Sequence, residues 1–201
     1  MPDNITYDQA AACLEGAYYA ATGITQLKPS AGQKALVYGA TGAIGSAYVQ
    51  FLKYYGVYVT AVCAGENGDL VRSWGADRIV DYKTEDFTTD EERYDFVFDA
   101  VGRSRFSKCK PLLKEQGIYT SSGGLENLLP ALMTPFLGGK RVLFLRPKDI
   151  RGNLRFIKGL IEKGSFKPVI DRTYSLDQIA NAFTYVATGR KIGNVVVTMG
   201  T

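Results

Sequence analysis

The stretch Lys34-Ala-Leu-Val-Tyr-Gly-Ala-Thr-Gly-Ala-Ile-Gly45 decides the fold of this chain. Its first five residues, Lys34–Tyr38, form a short apolar run that predicts a β-strand. Glycines follow at positions 39, 42 and 45, and apolar residues at helical spacing continue to Tyr55, where Gly56 ends the predicted helix. A strand, a glycine turn and a helix in this order predict the first unit of a Rossmann-type fold.

The glycine turn has the residues that a dinucleotide pyrophosphate needs. Gly39 permits the tight turn, Gly42 leaves room for backbone N–H groups to approach the phosphates, and Gly45 lets the helix pack close to the sheet. The helix N-terminus adds free N–H donors and the positive end of its dipole. A glycine-rich turn without a ligand is the structural alternative. The strand–turn–helix context and five further strands favour the dinucleotide site.

Strands and helices alternate along the rest of the chain. The five further strands are predicted at Val57–Cys63, Arg78–Val80, Tyr94–Phe98, Gly117–Thr120 and Lys140–Leu145. Helical patterns separate them, and one, around Ser104–Lys114, is interrupted by Pro111. This alternation predicts an α/β fold: a Rossmann-type doubly wound parallel sheet of about six strands with helices on both faces.

The two ends of the chain differ from this alternation. Thr6 and Gln9 have capping-box spacing, which predicts an opening helix rich in small residues that ends at Gly23. The tail is predicted to contain a strand, a helix begun by a second capping box, and a last strand, at Val169–Tyr174, Ser175–Val186 and Asn194–Met199. We therefore expect two parts: a Rossmann domain with its lead-in helix at residues 1–164, and a different segment at residues 165–201.

Composition excludes several classes of protein. No apolar run is long enough to span a membrane and the first residues lack a signal pattern, which predicts a soluble cytoplasmic protein without a membrane partner. The net charge of +4 is scattered, unlike the basic stripe of a nucleic-acid binder. The chain has no histidine, and Cys13, Cys63 and Cys109 are widely spaced. We therefore expect reduced structural cysteines, no zinc and no histidine-dependent catalysis.

The chain resembles the medium-chain dehydrogenase/reductase superfamily, and within it the zinc-independent quinone oxidoreductase and alkenal reductase branch. The order of the matching segments is specific, although no single segment is. They are Pro2–Ala12, Glu15–Ala17, Gly32–Lys34, Gly39–Gly45, Val59–Cys63, Leu70–Asp77, Asp81-Tyr82, Tyr94–Gly102 and Gly193–Val197. The resemblance implies an oxidoreductase that transfers hydride from NAD(P)H to a small-molecule quinone or to the β-carbon of an enone or enal.

The resemblance also implies which positions meet the cofactor. The pyrophosphate would lie against Gly39, Thr41, Gly42, Ala43, Ile44 and Gly45. The adenosine end would lie near Cys63, Asn67 and Tyr82. The nicotinamide and its ribose would lie near Ala100, Val101, Gly102, Ser121, Ser122, Gly123, Phe144 and Arg146. Core packing is the alternative for Tyr82 and Phe144. The only candidate for a catalytic proton donor is Tyr19, for which packing is again the alternative.

The choice between NADP(H) and NAD(H) depends on the end of the second strand. An NAD site usually has Asp or Glu there to bind the ribose hydroxyls, whereas this chain has Cys63, which favours NADP(H). Glu66 just downstream either binds the ribose or merely begins the next helix. Relatives often carry a basic residue where Glu66 stands and a lysine where Asn194 stands. Both departures remove positive charge near the expected cofactor and count against NADP(H). The absence of a carboxylate at Cys63 still makes NADP(H) the expected cofactor, with NAD(H) kept as the alternative.

The resemblance predicts that the family's usual first domain, the other wall of the substrate cleft, is missing from this chain. Residues 165–201 resemble the segment that returns to that domain, so we expect this chain alone to have negligible reductase activity. One alternative is an atypical short-chain reductase, but no Tyr is followed four residues later by the Lys of that family's catalytic pair. A non-catalytic dinucleotide-binding module is the other alternative.

The sixth predicted strand, Lys140–Leu145, carries little charge and lies at an edge of the sheet. An exposed apolar edge strand tends to pair with another chain, which predicts a homodimer joined edge to edge about a twofold axis. Relatives commonly join their sheets in this way. A helix formed by Leu125–Leu137 that covers the edge and leaves a monomer is the alternative.

Overall fold

The computed structural model describes residues 1–199, apart from the side chain of Leu137. The strands are β1 Lys34–Tyr38, β2 Tyr58–Cys63, β3 Arg78–Asp81, β4 Tyr94–Asp99, β5 Leu113–Ser121, β6 Arg141–Val142, β7 Ile170–Ser175 and β8 Asn194–Thr198. The α-helices are α1 Tyr7–Ala12, α2 Tyr18–Leu27, α3 Ala43–Tyr54, α4 Gly68–Ser73, α5 Phe106–Cys109, α6 Leu128–Leu137, α7 Ile150–Glu162 and α8 Ile179–Ala187. A π-helical turn, Cys13–Ala17, joins α1 to α2.

Six strands form one parallel sheet in the order β3-β2-β1-β4-β5-β6. In the register of the central strands, Val37 of β1 lies between Ala61 of β2 and Phe98 of β4. The order of the strands reverses between β1 and β4, which is the arrangement of a doubly wound fold. The predicted fold class is therefore confirmed.

Successive residues of the strands serve two separate cores. Ala35 and Val37 belong to the core that also contains buried residues of α2, α3 and α7. Leu36, between them, belongs to the core on the opposite face, with Val62, Val97 and other residues of the neighbouring strands. Both faces of the sheet are thus apolar and covered, as parallel sheets require.

The tail forms its own small sheet. Strands β7 and β8 pair in parallel, with α8 between them along the chain. An isolated bridge between Gly42 and Gly193 connects this part of the chain to the glycine turn. The proposed division into residues 1–164 and 165–201 stays a prediction, and positions 200 and 201 lie outside the described residues.

The opening helix does not end at Gly23, contrary to the sequence-based prediction. Gly23 is buried inside α2, and a Cβ there would overlap the hydroxyl of Tyr48 in α3. The glycine therefore permits a close helix–helix contact instead of a turn. The helix ends at Leu27, and the next residue, Lys28, caps it with a left-handed φ of 50° and precedes Pro29. The predicted capping box of Thr6 and Gln9 is confirmed.

Two other predicted elements are shorter in the structure. The sixth strand comprises Arg141–Val142 only, since Phe144 and Leu145 turn into a cavity that they line. Of the helix predicted at Ser104–Lys114, only Phe106–Cys109 is α-helical. A 3₁₀ turn at Lys110–Leu112 follows because Pro111 cannot donate a helical hydrogen bond, and Leu113 already pairs with β4.

Candidate dinucleotide-binding site

Two adjoining cavities open at the carboxyl ends of the central strands. The larger, of about 760 Å³, lies over the glycine turn and the end of β1. The smaller, of about 430 Å³, lies beside the ends of β4 and β5. The cavities share Glu15, Ile44 and Ala100 as lining residues. Ligands of open parallel sheets bind at this place, where the strand order reverses.

The structure requires glycine at two of the three glycine positions of the turn and not at the third. Gly39 has φ +79°, and a Cβ there would overlap the side chain of Val101. A Cβ on Gly45 would overlap the Gly39 carbonyl oxygen, so close packing requires both glycines. Gly42 has an ordinary φ of −72°, and the nearest atom to a Cβ there is 3.4 Å away. The protein's own packing therefore does not explain Gly42, which leaves an opening toward the larger cavity.

The helix that follows the turn begins without a side-chain cap. Gly42 is the N-cap of α3, and within residues 1–199 no side chain caps the first N–H groups of that helix. A helix of 12 residues with a free N-terminus offers backbone donors and a positive partial charge to an anion. A dinucleotide pyrophosphate fits this combination of an open glycine and unpaired donors.

A buried carboxylate shapes the turn between the two cavities. Asp99, at the end of β4, is 2% exposed. Its Oδ1 accepts from the N–H groups of Val101 (3.1 Å) and Gly102 (2.8 Å), and its Oδ2 accepts from the Ser104 N–H (2.8 Å) and the Tyr119 hydroxyl (3.1 Å). These bonds fix the backbone of residues 100–104, which would support the nicotinamide ribose.

Glu15 stands at the boundary between the cavities. It belongs to the π-helical turn, a local geometry often found at functional sites. The next residue, Gly16, packs so closely on α3 that a Cβ would lie 2.7 Å from the Ala43 carbonyl carbon. The lead-in helix thus brings Glu15 to both cavities and Tyr19 to the smaller one.

An exposed ion pair lies beyond the ends of β2 and β3, where the sequence predicts the adenosine end of the cofactor. Glu66 Oε1 lies 2.6 Å from Lys83 Nζ, and this bond lowers the pKa of Glu66 and raises the pKa of Lys83. Tyr82, beside Lys83, lines the larger cavity. Cys63 is buried, and its burial raises the pKa of the thiol to about 11. Its side chain therefore faces the core instead of the cavity.

The structure brings most of the predicted residues together. Eight line the larger cavity: Gly39, Thr41, Gly42, Ala43, Ile44, Tyr82, Ala100 and Val101. The smaller cavity adds Tyr19, Ser121, Ser122, Gly123 and Phe144. Five lie outside both linings: Gly45, Cys63, Asn67, Gly102 and Arg146. Gly45 and Gly102 still shape the turns, whereas Arg146 is exposed and its carbonyl accepts from Gln26 (2.7 Å).

Sequence reasoning missed several lining residues. The larger cavity also contains Glu15, Arg103, Phe183, Val186 and Lys191. Arg103 directly follows the predicted Ala100–Gly102 turn, and its position shortly after a buried strand indicates that it lies near the ligand edge of the sheet. Phe183, Val186 and Lys191 come from the tail, whose return to the glycine turn has no local signature.

Among residues 1–199, no group of three or more His, Cys, Asp or Glu side chains is arranged to hold a metal ion. Within the same range, no helix has both the length and the apolar character of a membrane span.

Comparisons with known proteins agree with this geometry. A family model described as zinc-binding dehydrogenase matches residues 74–197, more than half of the chain. The NADPH-dependent alkenal/one oxidoreductase, chloroplastic, of Arabidopsis thaliana is 34% identical over 98% of this chain and 48% of that protein. The 2-methylene-furan-3-one reductase of Solanum lycopersicum is 32% identical, with coverage of 98% and 48%.

The solved structures support the fold. The quinone oxidoreductase from Coxiella burnetii superimposes with a TM-score of 0.89 at 21% identity, over 98% of this chain and 62% of that chain. The chain spans about half the length of the curated relatives that it matches. It therefore belongs to the medium-chain dehydrogenase/reductase superfamily, in the family described as zinc-binding dehydrogenase, and contains the Rossmann-type domain of that family.

Proposed function

We propose that this chain binds NADP(H) across the two cavities, with the pyrophosphate at the glycine turn. Gly42 is the observation that carries the proposal, because packing does not require a glycine there and the opening faces the 760 Å³ cavity. The adenosine would lie toward Tyr82 and the nicotinamide toward Ser122 and Phe144 in the smaller cavity. NADPH dependence in the name of the Arabidopsis relative supports the same cofactor.

The charges at the adenosine end support NADP(H) over NAD(H). The end of β2 offers the buried Cys63 where an NAD site places a carboxylate. Glu66, the acid that could bind the ribose hydroxyls, is held by Lys83 at 2.6 Å. Lys83 is the nearby cation that could turn to a 2′-phosphate, and Arg103 adds a second positive charge to the larger cavity.

We further propose that the whole protein is an oxidoreductase without a catalytic zinc, which reduces a quinone or an α,β-unsaturated carbonyl. The bound nicotinamide would supply the hydride. This chain's residues would bind and orient it: the Asp99-supported turn beneath its ribose, and Phe144 and Tyr48 along the smaller cavity. The Arabidopsis relative is named as an alkenal/one oxidoreductase and a relative from Triphysaria versicolor as a quinone-oxidoreductase, and both names support this substrate class. Membership of the superfamily disfavours the short-chain alternative, whereas the non-catalytic module stays open for this chain.

A cytoplasmic location and a homodimer through residues 140–145 are proposals as well. The dimer would use the edge of the sheet that β6 forms. The structure adds a competing contact, since the Val142 N–H donates to the Thr134 hydroxyl of α6 at 3.0 Å. Helix α6 thus lies along the edge, as in the monomer alternative. Pairing of two copies would have to use the adjoining residues 143–145 or displace Thr134.

Titration with NADPH and NADH on the same sample tests the cofactor proposal. We expect wild type to bind NADPH more tightly. Glu66→Gln should strengthen NADPH binding by up to about five-fold, the range of an exposed ion pair, because it releases Lys83. NADH binding should not change. Glu91→Gln, another exposed glutamate outside both cavity linings, is the matched control.

Two outcomes contradict the proposal. If neither NADPH nor NADH binds, the chain has no dinucleotide site. Tighter binding of NADH than NADPH by wild type, weakened in Glu66→Gln, would show that Glu66 binds the ribose hydroxyls and that the preference is reversed.

A further inference from the structure

The turn between α8 and β8 lies directly on the glycine turn. The Gly193 N–H donates to the Thr41 carbonyl oxygen at 2.7 Å, and Gly42 and Gly193 form a parallel bridge. Gly193 has φ +70°, and a Cβ there would overlap the Val169 carbonyl oxygen. The backbone of this turn is therefore closely constrained, and its side chains are placed at defined positions beside Gly42.

Lys191 is the cation that this turn brings to the larger cavity. It is partly buried and lines the cavity with Thr41 and Gly42. Its Nζ donates to the Gly193 carbonyl oxygen at 2.7 Å. Within the described part of the chain, no carboxylate comes within ion-pair distance of that Nζ.

The surroundings leave the charge of Lys191 incompletely compensated. Burial lowers its pKa, although the carboxylates of Asp171 and Glu15 act in the opposite direction. Asp171 itself is engaged by the Tyr185 hydroxyl (2.6 Å) and the Ile192 N–H (3.0 Å). One bond to Gly193 satisfies one of the three ammonium N–H groups. An anion in the cavity would accept hydrogen bonds from the remaining N–H groups of Lys191 and offset the free-energy cost of burying its charge.

We propose that Lys191 donates to the pyrophosphate of the bound dinucleotide and supplies the positive charge at that part of the site. The proposal rests on the NADP(H)-binding function given above and names a residue of the tail as part of it. Asn194 also lines the cavity, but it is neutral and its Nδ2 donates to the Val169 carbonyl oxygen at 2.9 Å. Lys191 is therefore the residue through which this turn places a positive charge in the cavity lining.

The test compares wild type with Lys191→Met, Lys191→Arg and Arg190→Met. Each protein is titrated with NADPH, and adenosine 2′-monophosphate, which lacks the pyrophosphate, is then measured as a competitor. Lys191→Met should weaken NADPH binding about ten-fold, the loss of one charge-assisted hydrogen bond, and leave the competitor's affinity unchanged. Lys191→Arg should retain most of the affinity. Arg190→Met removes an exposed neighbouring charge outside both linings and should have no effect.

The outcomes separate this proposal from the one on which it rests. Equal NADPH affinity in folded Lys191→Met and wild type contradicts the role of Lys191. Parallel losses of NADPH and of the competitor contradict it too, because they indicate a general disturbance of the site. A wild type that binds no NADPH contradicts the dinucleotide function instead. Lys191→Gln provides the same comparison if thermal unfolding shows that Lys191→Met does not fold.

Discussion

Asp99 shows how a single residue connects the fold to the site. Its carboxylate is 2% exposed and accepts hydrogen bonds from three backbone N–H groups and the Tyr119 hydroxyl. We expect Asp99→Ala to lower the free energy of unfolding by about 3 kcal/mol, because it leaves several buried donors without acceptors. Urea unfolding measures this, with the exposed Asp69→Ala as control. A loss no larger than that of the control would show that the Asp99 bonds do not stabilise the turn.

Individual site residues could be predicted where they lie close in sequence to a recognisable strand or glycine motif. Gly39 and Ala100 directly follow buried strands and Gly42 lies in the turn after β1, so their places at the carboxyl edge of the sheet could be predicted. Lys191 reaches the same cavity through the bridge between Gly42 and Gly193, about 150 positions apart in the sequence. No local pattern encodes that contact. The burial of the Cys63 side chain could not be predicted either, because the direction of a side chain at a strand end depends on packing.

At the scale of elements, helix and strand boundaries could be predicted where one physical cause dominates. Lys34–Tyr38 was predicted with the bounds that the structure shows, because a glycine turn follows it at once. The helix end predicted at Gly23 is wrong because glycine occurs both at helix ends and at close contacts between helices. Only the position of Tyr48 in the folded structure shows that Gly23 serves a close contact. The sixth strand was overestimated because its apolar residues line a cavity instead of extending the sheet.

The edge strand β6 gives a prediction about association. The N–H of Leu143 donates to the Tyr119 carbonyl oxygen at 2.9 Å, so it already bonds within the sheet. The side chain of Leu143 is 37% exposed, and the test therefore replaces this side chain. If residues 140–145 join two copies, wild type should sediment as a dimer and Leu143→Arg as a monomer, since edge charges oppose pairing. Leu70→Arg, at 40% exposure on α4, is the matched control. A monomeric wild type, or a dimeric Leu143→Arg, excludes this interface.

At the scale of the whole molecule, the smaller cavity is the place where a substrate would have to meet the nicotinamide under the proposed function. The chain spans about half the length of its curated relatives, and residues of the sheet, the lead-in helix and α3 line the smaller cavity. Hydride transfer needs a substrate held against the nicotinamide with water excluded. We expect this 201-residue chain alone to bind NADPH but to reduce a model quinone or enal at a negligible rate. Turnover close to that of an intact relative, in a parallel assay of NADPH consumption, contradicts that expectation.

The most direct test of the account is a calorimetric titration of NADPH into wild type and Gly42→Leu. A Cβ at Gly42 meets nothing closer than 3.4 Å, so the variant should fold, but its side chain would fill the opening where the pyrophosphate must approach. Gly159→Leu, where a Cβ meets nothing within 4 Å, is the control. We predict binding by wild type and the control and none by Gly42→Leu. A folded Gly42→Leu that binds NADPH as tightly as wild type would contradict the assignment of the glycine turn.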